Sequence, residues 1–160
     1  MKIAYAKILV RLACVLMWGL FAAQAGALGG PPYVTNKAGL GSLALVEKGK
    51  AVPLYVGVDD WPGVIRAVGD LSEDVRRVTG VPPQVVKDRA GPYGVDVVLI
   101  GTIGRSAAID DLVKRRKIDV SGVQGKWEGE VTTIVEHPMP GVKRALVIAG
   151  ADKRGTIYGV

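Results

Sequence analysis

The sequence predicts an α/β domain, a mixed β-sheet with packed helices. Three observations carry this. Two apolar runs, Val95 to Ile100 and Arg144 to Ala149, are too continuous for half-exposed strands. Between strand-like runs, residues 64 to 78 carry a single helical stripe. Gly- and Pro-bearing turns separate the segments at short intervals. The composition, 49% apolar and 22% charged without a low-complexity tract, is that of an ordered globular chain.

Residues 1–25 read as a secretion signal. Lys2, Lys7 and Arg11 form a basic start, Leu12 to Ala23 an apolar run, and Ala23-Gln24-Ala25 a cleavage pattern. The run is shorter than the roughly 20 residues a membrane helix needs. No later segment reads as a membrane span. The expected location is secreted or periplasmic, with cleavage near Ala25. Without the signal, the formal charge of +6 falls to +3, because three of the 21 basic residues leave and all 15 acids stay. Cys14, the single cysteine, leaves too, so a disulfide, a thiol nucleophile and a cysteine metal site are excluded from the mature domain.

Residues 26–41, rich in Gly and Pro, read as an extended lead-in to a domain over 42–160. Leu43 to Val46 and Ala51 to Val56 flank Glu47-Lys48-Gly49-Lys50 and read as a β-hairpin. Asp60 as N-cap and Pro62 in the first turn open a helix. Its buried stripe is Val64, Ile65, Val68, Leu71, Val75 and Val78, and Gly80 ends it. Gln84 to Lys87 is a short strand, and Val95 to Ile100 a longer, central one. Ser106 caps a second helix that buries Ile109, Leu112 and Val113, with Lys114 to Lys117 in its last turn. Trp127 to Glu136 alternates as a long strand, residues 137–141 turn, and Arg144 to Ala149 return. After Gly150 to Gly155, a loop, a third helix opens at Thr156. Ile157 and Val160 lack a C-cap, and the chain reads as a fragment.

Motifs exclude more than they select. Neither G-x-G-x-x-G nor a Walker A loop is present, and no Ser stands in G-x-S-x-G. His137 has no second histidine with which to build a metal site, so no metal and no cofactor is expected. The run Lys114 to Lys117 fits a solvated helix end, and no nucleic-acid partner is expected. Two clusters suit a sugar acid: Lys126-Trp127-Glu128 and Asp152-Lys153-Arg154. A ring stacks on the sugar while Lys or Arg pairs with its carboxylate. A surface Trp beside an ordinary charged turn is the competing reading of the same residues.

Six stretches, in this order, resemble the start of glycoside hydrolase family 115, the xylan α-1,2-glucuronidases. They are Asp60 to Ala67 (DWPGVIRA), Ile100 to Gly104 (IGTIG), Gly125 to Glu128 (GKWE), Pro140 to Val142, Ala145 to Gly150, and Asp152 to Gly159 (DKRGTIYG). The resemblance implies an exported enzyme that removes (4-O-methyl)glucuronic acid from xylan by inverting hydrolysis. It further implies an N-terminal α/β domain ahead of a (β/α)8 catalytic barrel. A barrel needs roughly 200 residues, so the catalytic carboxylates would lie outside this chain and no catalytic residue is assigned in it. The implied partners are glucuronoxylan or oligosaccharides bearing glucuronic acid. Glu128, Asp152, Lys153 and Arg154 are the candidate substrate-binding residues. The alternative is a self-standing exported carbohydrate-binding or interaction module of α/β fold.

Overall fold

The computed structural model describes residues 34–35, 39, 41–87 and 95–160. The signal segment and most of the lead-in lie outside the described residues. The fold lies in the unit Ala38–Val160.

A five-stranded sheet is its frame. The strands are β3 (Leu54–Val56), β4 (Val85–Lys87), β5 (Asp96–Thr102), β6 (Glu130–Glu136) and β7 (Arg144–Gly150), in the spatial order β4-β3-β5-β7-β6. The first four in that order run parallel, and β6 pairs antiparallel with β7 at one edge. The expected mixed sheet is present, with β5 at its centre. Residues of β5 alternate between two buried faces: Val97 and Leu99 on one, Val98 and Ile100 on the other. Burial on both faces explains why the strand reads as an unbroken apolar run.

Helix α1 (Pro62–Thr79) and helix α3 (Lys153–Gly159) cover one face, where Val64 and Val68 meet Leu54, Val56 and Ile148. Helix α2 (Ala107–Lys114) covers the other, placing Ile109 and Leu112 against Tyr55, Leu99 and Val147. The helix after β3 and the helix after β5 therefore sit on opposite faces, and the strand order turns back between β3 and β5. In doubly wound sheets that reversal opens a crevice at the strands' carboxyl ends. Arg144 and Asp96, ion-paired at the opposite end of β7 and β5, tie the central strands together.

Several expectations are corrected. The hairpin shrinks to β1 (Val46–Glu47) and β2 (Lys50–Ala51), because Pro53 separates it from β3, which joins the main sheet. Residues 127–129 are not strand: Glu128 has φ 58° and the chain turns before β6 begins at Glu130. Helix α3 starts at Lys153 rather than Thr156, because the Asp152 carboxylate caps it through the N–H of Gly155 at 2.8 Å. Val78, placed on the buried stripe, is 87% exposed; α1 has by then run past the sheet. Gly80 does end α1, at φ 76°.

Among the described residues, no helix is long and apolar enough to cross a membrane, and no group of His, Cys, Asp and Glu is placed to hold a metal ion.

Candidate functional site

The carboxyl ends of β3, β5 and β7 lie at one end of the sheet. The amino end of antiparallel β6 joins them there, because Glu130 pairs with Gly150. Four loops therefore meet at this end, and they carry most of the exposed polar and aromatic groups that sequence singled out.

Asp152 organises one half. Its Oδ1 accepts the Gly155 N–H, and its Oδ2 accepts the Glu128 N–H at 3.0 Å. These donors, Gly155 first, hold the carboxyl below the usual aspartate range. One side chain thus caps α3 and pins the turn that carries Trp127 and Glu128. The pinning is close. A Cβ built on Gly155 would stand 2.3 Å from the Gly129 carbonyl oxygen, so only glycine permits this approach.

The turn presents Trp127 with 74% of its surface exposed. Its indole N–H donates to Glu128 Oε1 at 2.8 Å. Arg154 pairs with the same Glu128 oxygen at 3.0 Å and donates to the Tyr158 hydroxyl at 2.9 Å. Its guanidinium stands 5.7 Å from the Trp127 ring centre and 5.8 Å from that of Tyr158. The hydroxyl of Tyr158 and the charge of Glu128 hold this guanidinium firmly protonated. All four predicted residues therefore lie at this end, and Glu128, Asp152 and Arg154 are joined by these bonds. Lys153 is exposed at the start of α3, its stem beside Gly63 of α1.

A second constellation stands at the β3–β5 crevice. Asp60, only 4% exposed, is not the N-cap; Trp61 is. Asp60 Oδ2 accepts the Thr102 N–H at 2.7 Å, and Oδ1 accepts the Thr102 hydroxyl at 2.8 Å and the Trp61 N–H at 2.7 Å. The Thr102 hydroxyl lies 2.8 Å from that of Thr156, which reaches the Asp152 carbonyl at 2.9 Å. Above this chain, Arg105 stacks on Trp61 at 3.6 Å and donates to the Asp59 carbonyl at 3.3 Å. Ser106 holds the N-cap position of α2 without a capping bond, and among the described residues its buried hydroxyl has no partner.

Trp61, Thr102, Arg105 and Thr156 were not singled out as site residues from sequence. Trp61, Thr102 and Thr156 fall in the quoted stretches DWPGVIRA, IGTIG and DKRGTIYG, which no periodicity links, and Arg105 stands just after the second of them. His137 is exposed at φ 47° in the turn between β6 and β7, at the opposite end of the sheet. There it lines an open hollow with Arg115, Met139 and Lys143. Arg115 is already committed to the Asp111 carboxylate and the Pro138 carbonyl, so the hollow lacks the convergent polar groups of the other end.

No family model matches the chain, and no curated protein relative does. Among solved structures, the chain is similar to one described as "A novel family GH115 4-O-Methyl-alpha-glucuronidase, BtGH115A, with specificity for decorated arabinogalactans". The likeness has a TM-score of 0.50 and 25% identity, and covers 68% of this chain but 12% of that one. The chain thus corresponds in length to a small part of that enzyme. Over two thirds of its residues, it is similar in fold and sequence to one region of a family 115 glucuronidase.

Proposed function

We propose that this chain is the N-terminal accessory domain of an exported glycoside hydrolase that releases (4-O-methyl)glucuronic acid from polysaccharide side chains. The observation that carries the reading is the likeness to a family 115 glucuronidase, at 25% identity over 68% of the chain. The carboxyl-end face adds chemical support. Trp127 offers an exposed ring and Lys153 an exposed cation on a loop set that Asp152 pins and Arg154 braces through Glu128. Rings that stack on sugars and cations that pair with carboxylates suit a uronic acid.

Hydrolysis itself belongs to residues outside this chain. An inverting glycosidase sets a general acid and a general base roughly 6.5–9.5 Å apart with water between them. On this reading, Glu128, Asp152, Lys153 and Arg154 contact the sugar acid or hold the loops that do. The expected partners are glucuronoxylan or oligosaccharides bearing glucuronic acid.

The test is release of 4-O-methylglucuronic acid from glucuronoxylan by the complete gene product, with the 160-residue chain alone as the inactive control. Arg154→Ala in the complete protein raises KM or lowers kcat while the domain stays folded. No release of uronic acid from any glucuronic-acid-bearing substrate sinks the reading.

A further inference from the structure

We infer that the cation meeting the sugar acid's carboxylate on this face is Arg105, seated on Trp61 with Lys153 close by, and that Arg154 is a positioning residue. The inference rests on the sugar-acid reading above and specifies where the charge is recognised. An arginine open to a ligand carboxylate must not already be neutralised. Arg154 is: Glu128 lies 3.0 Å away, and the same carboxylate oxygen holds the Trp127 indole N–H. A ligand would have to displace Glu128 and free Trp127 together.

Arg105 is placed differently. Among the described residues no carboxylate pairs with it, and its polar contact is one bond to the Asp59 carbonyl. Its guanidinium lies over the Trp61 ring at 3.6 Å, and its planar fork carries N–H donors beyond the one given to Asp59. That fork matches a carboxylate in two parallel hydrogen bonds. Lys153 has no ion-pair partner among the described residues either. Its stem passes 3.9 Å from where a Cβ on Gly63 would stand, two residues beyond Trp61. Both cations therefore border the first turn of α1, which has no acidic residue and no side-chain cap. The positive end of that helix adds to the field.

Two of the neighbouring acids are engaged elsewhere. Asp60 is engaged by Thr102 and the Trp61 N–H, and Asp110 accepts the Gly104 N–H at 2.7 Å.

The test is an NMR titration of the 160-residue chain with D-glucuronate, D-glucose and inorganic phosphate, for wild type, Arg105→Gln and Arg154→Gln. Both arginines are exposed, so backbone spectra report whether each variant stays folded. Wild type is expected to bind glucuronate in preference to glucose. Losing a charged hydrogen-bond pair costs about tenfold or more in affinity, so Arg105→Gln weakens glucuronate by at least that factor. Arg154→Gln moves the Glu128 amide and Trp127 indole signals but costs less than about threefold. The reverse result, with Arg154→Gln producing the large loss, overturns the inference and leaves the sugar-acid reading intact. Phosphate bound as tightly as glucuronate, with both lost in Arg105→Gln, keeps Arg105 as the anion's cation and removes the sugar-acid reading. No anion bound by wild type overturns the inference, and release of uronic acid by the complete protein then decides the reading separately.

Discussion

Replacing Gly155 by alanine sets two effects of opposite sign against each other. Inside a helix, alanine is favoured over glycine by about 1 kcal/mol. The geometry of α3 opposes that gain. A Cβ at Gly155 would lie 2.3 Å from the Gly129 carbonyl oxygen and about 3 Å from two further backbone carbons of the 128–129 turn. Every obstacle is backbone, so no rotamer relieves the overlap. Either α3 or the turn must shift, stretching the Ala151 N–H bond to Gly129 at 2.8 Å and the Glu128 N–H bond to Asp152 at 3.0 Å. Overpacking of this kind costs about 1–3 kcal/mol, and the loss of two partly buried hydrogen bonds adds about 1 kcal/mol each. The net expectation is destabilisation by about 2–4 kcal/mol, or a fall in Tm of roughly 6–20 °C for a domain of this size. Gly69→Ala is the matched control. That glycine lies in α1 with nothing within 4 Å of its Cβ position, so the propensity term stands alone and stabilises by about 1 kcal/mol. Urea unfolding of both variants measures the difference. A Gly155→Ala protein as stable as wild type would refute the close approach of α3 to the 128–129 turn.

Three further outcomes stem from the buried polar groups. Asp60→Ala leaves the Thr102 N–H and hydroxyl without their acceptor and destabilises by about 3 kcal/mol. Asp60→Asn should cost nearly as much, since donors face both oxygens and an amide NH2 must meet one of them; equal stability of Asn and wild type in urea contradicts this. Thr156→Val removes the hydroxyl proton for which Thr102 and the Asp152 carbonyl are the acceptors in reach, at about 1–3 kcal/mol, while Thr156→Ser retains it, and thermal melts of the pair separate hydroxyl loss from packing loss. For Asp152, the Gly155 and Glu128 N–H groups hold the folded pKa below its unfolded value of about 3.9. Its stabilising contribution is therefore present above that value and disappears as pH falls through the lower folded one. The Gly155 and Glu128 amide shifts should move together in that acid range, and independent titration of the two argues against a shared carboxylate.

The parts of the fold that sequence revealed are those whose cause is local. The runs at 95–100 and 144–149 are apolar because both faces of β5 and β7 are covered, and burial on two faces leaves a trace in every residue. Helix α1 was legible from its stripe and from Gly80, although the stripe ran one turn too far. Val78 keeps the spacing, but the sheet no longer lies beneath it. The start of α3 was hidden because a glycine two residues inside a helix argues against helix, whereas Gly155 is there for a contact with Gly129 that no local pattern encodes. Alternation likewise carried the predicted strand back to Trp127, since nothing in Trp-Glu-Gly announces a positive φ at a glutamate. Glu128, Asp152, Lys153 and Arg154 were chosen as candidates by their chemistry in two short clusters. Trp61 and Arg105 were not, because their partnership spans two loops and depends on β3 and β5 being neighbours.

Hydrogen accounting in the crevice shows why those two loops and α3 should respond together. Thr102 and Thr156 supply two hydroxyl protons, and three oxygen–oxygen contacts of 2.8–2.9 Å link Asp60, Thr102, Thr156 and the Asp152 carbonyl. A carboxylate at Asp60 claims the Thr102 proton, which leaves Thr102 as the acceptor for Thr156. The Asp152 carbonyl can release that hydroxyl, because the Thr156 N–H already reaches it at 3.0 Å. The ordering therefore runs from Thr156 through Thr102 to Asp60, across the ends of β7 and β5 into the loop after β3. Every member is buried or half-buried, where an unpaired polar group is costly. Displacing the loop that carries Trp61 would thus disturb the same hydrogen-bond set that seats α3, and with it Asp152, Glu128 and Trp127. One hydrogen-bond chain joins the two halves of the carboxyl-end face.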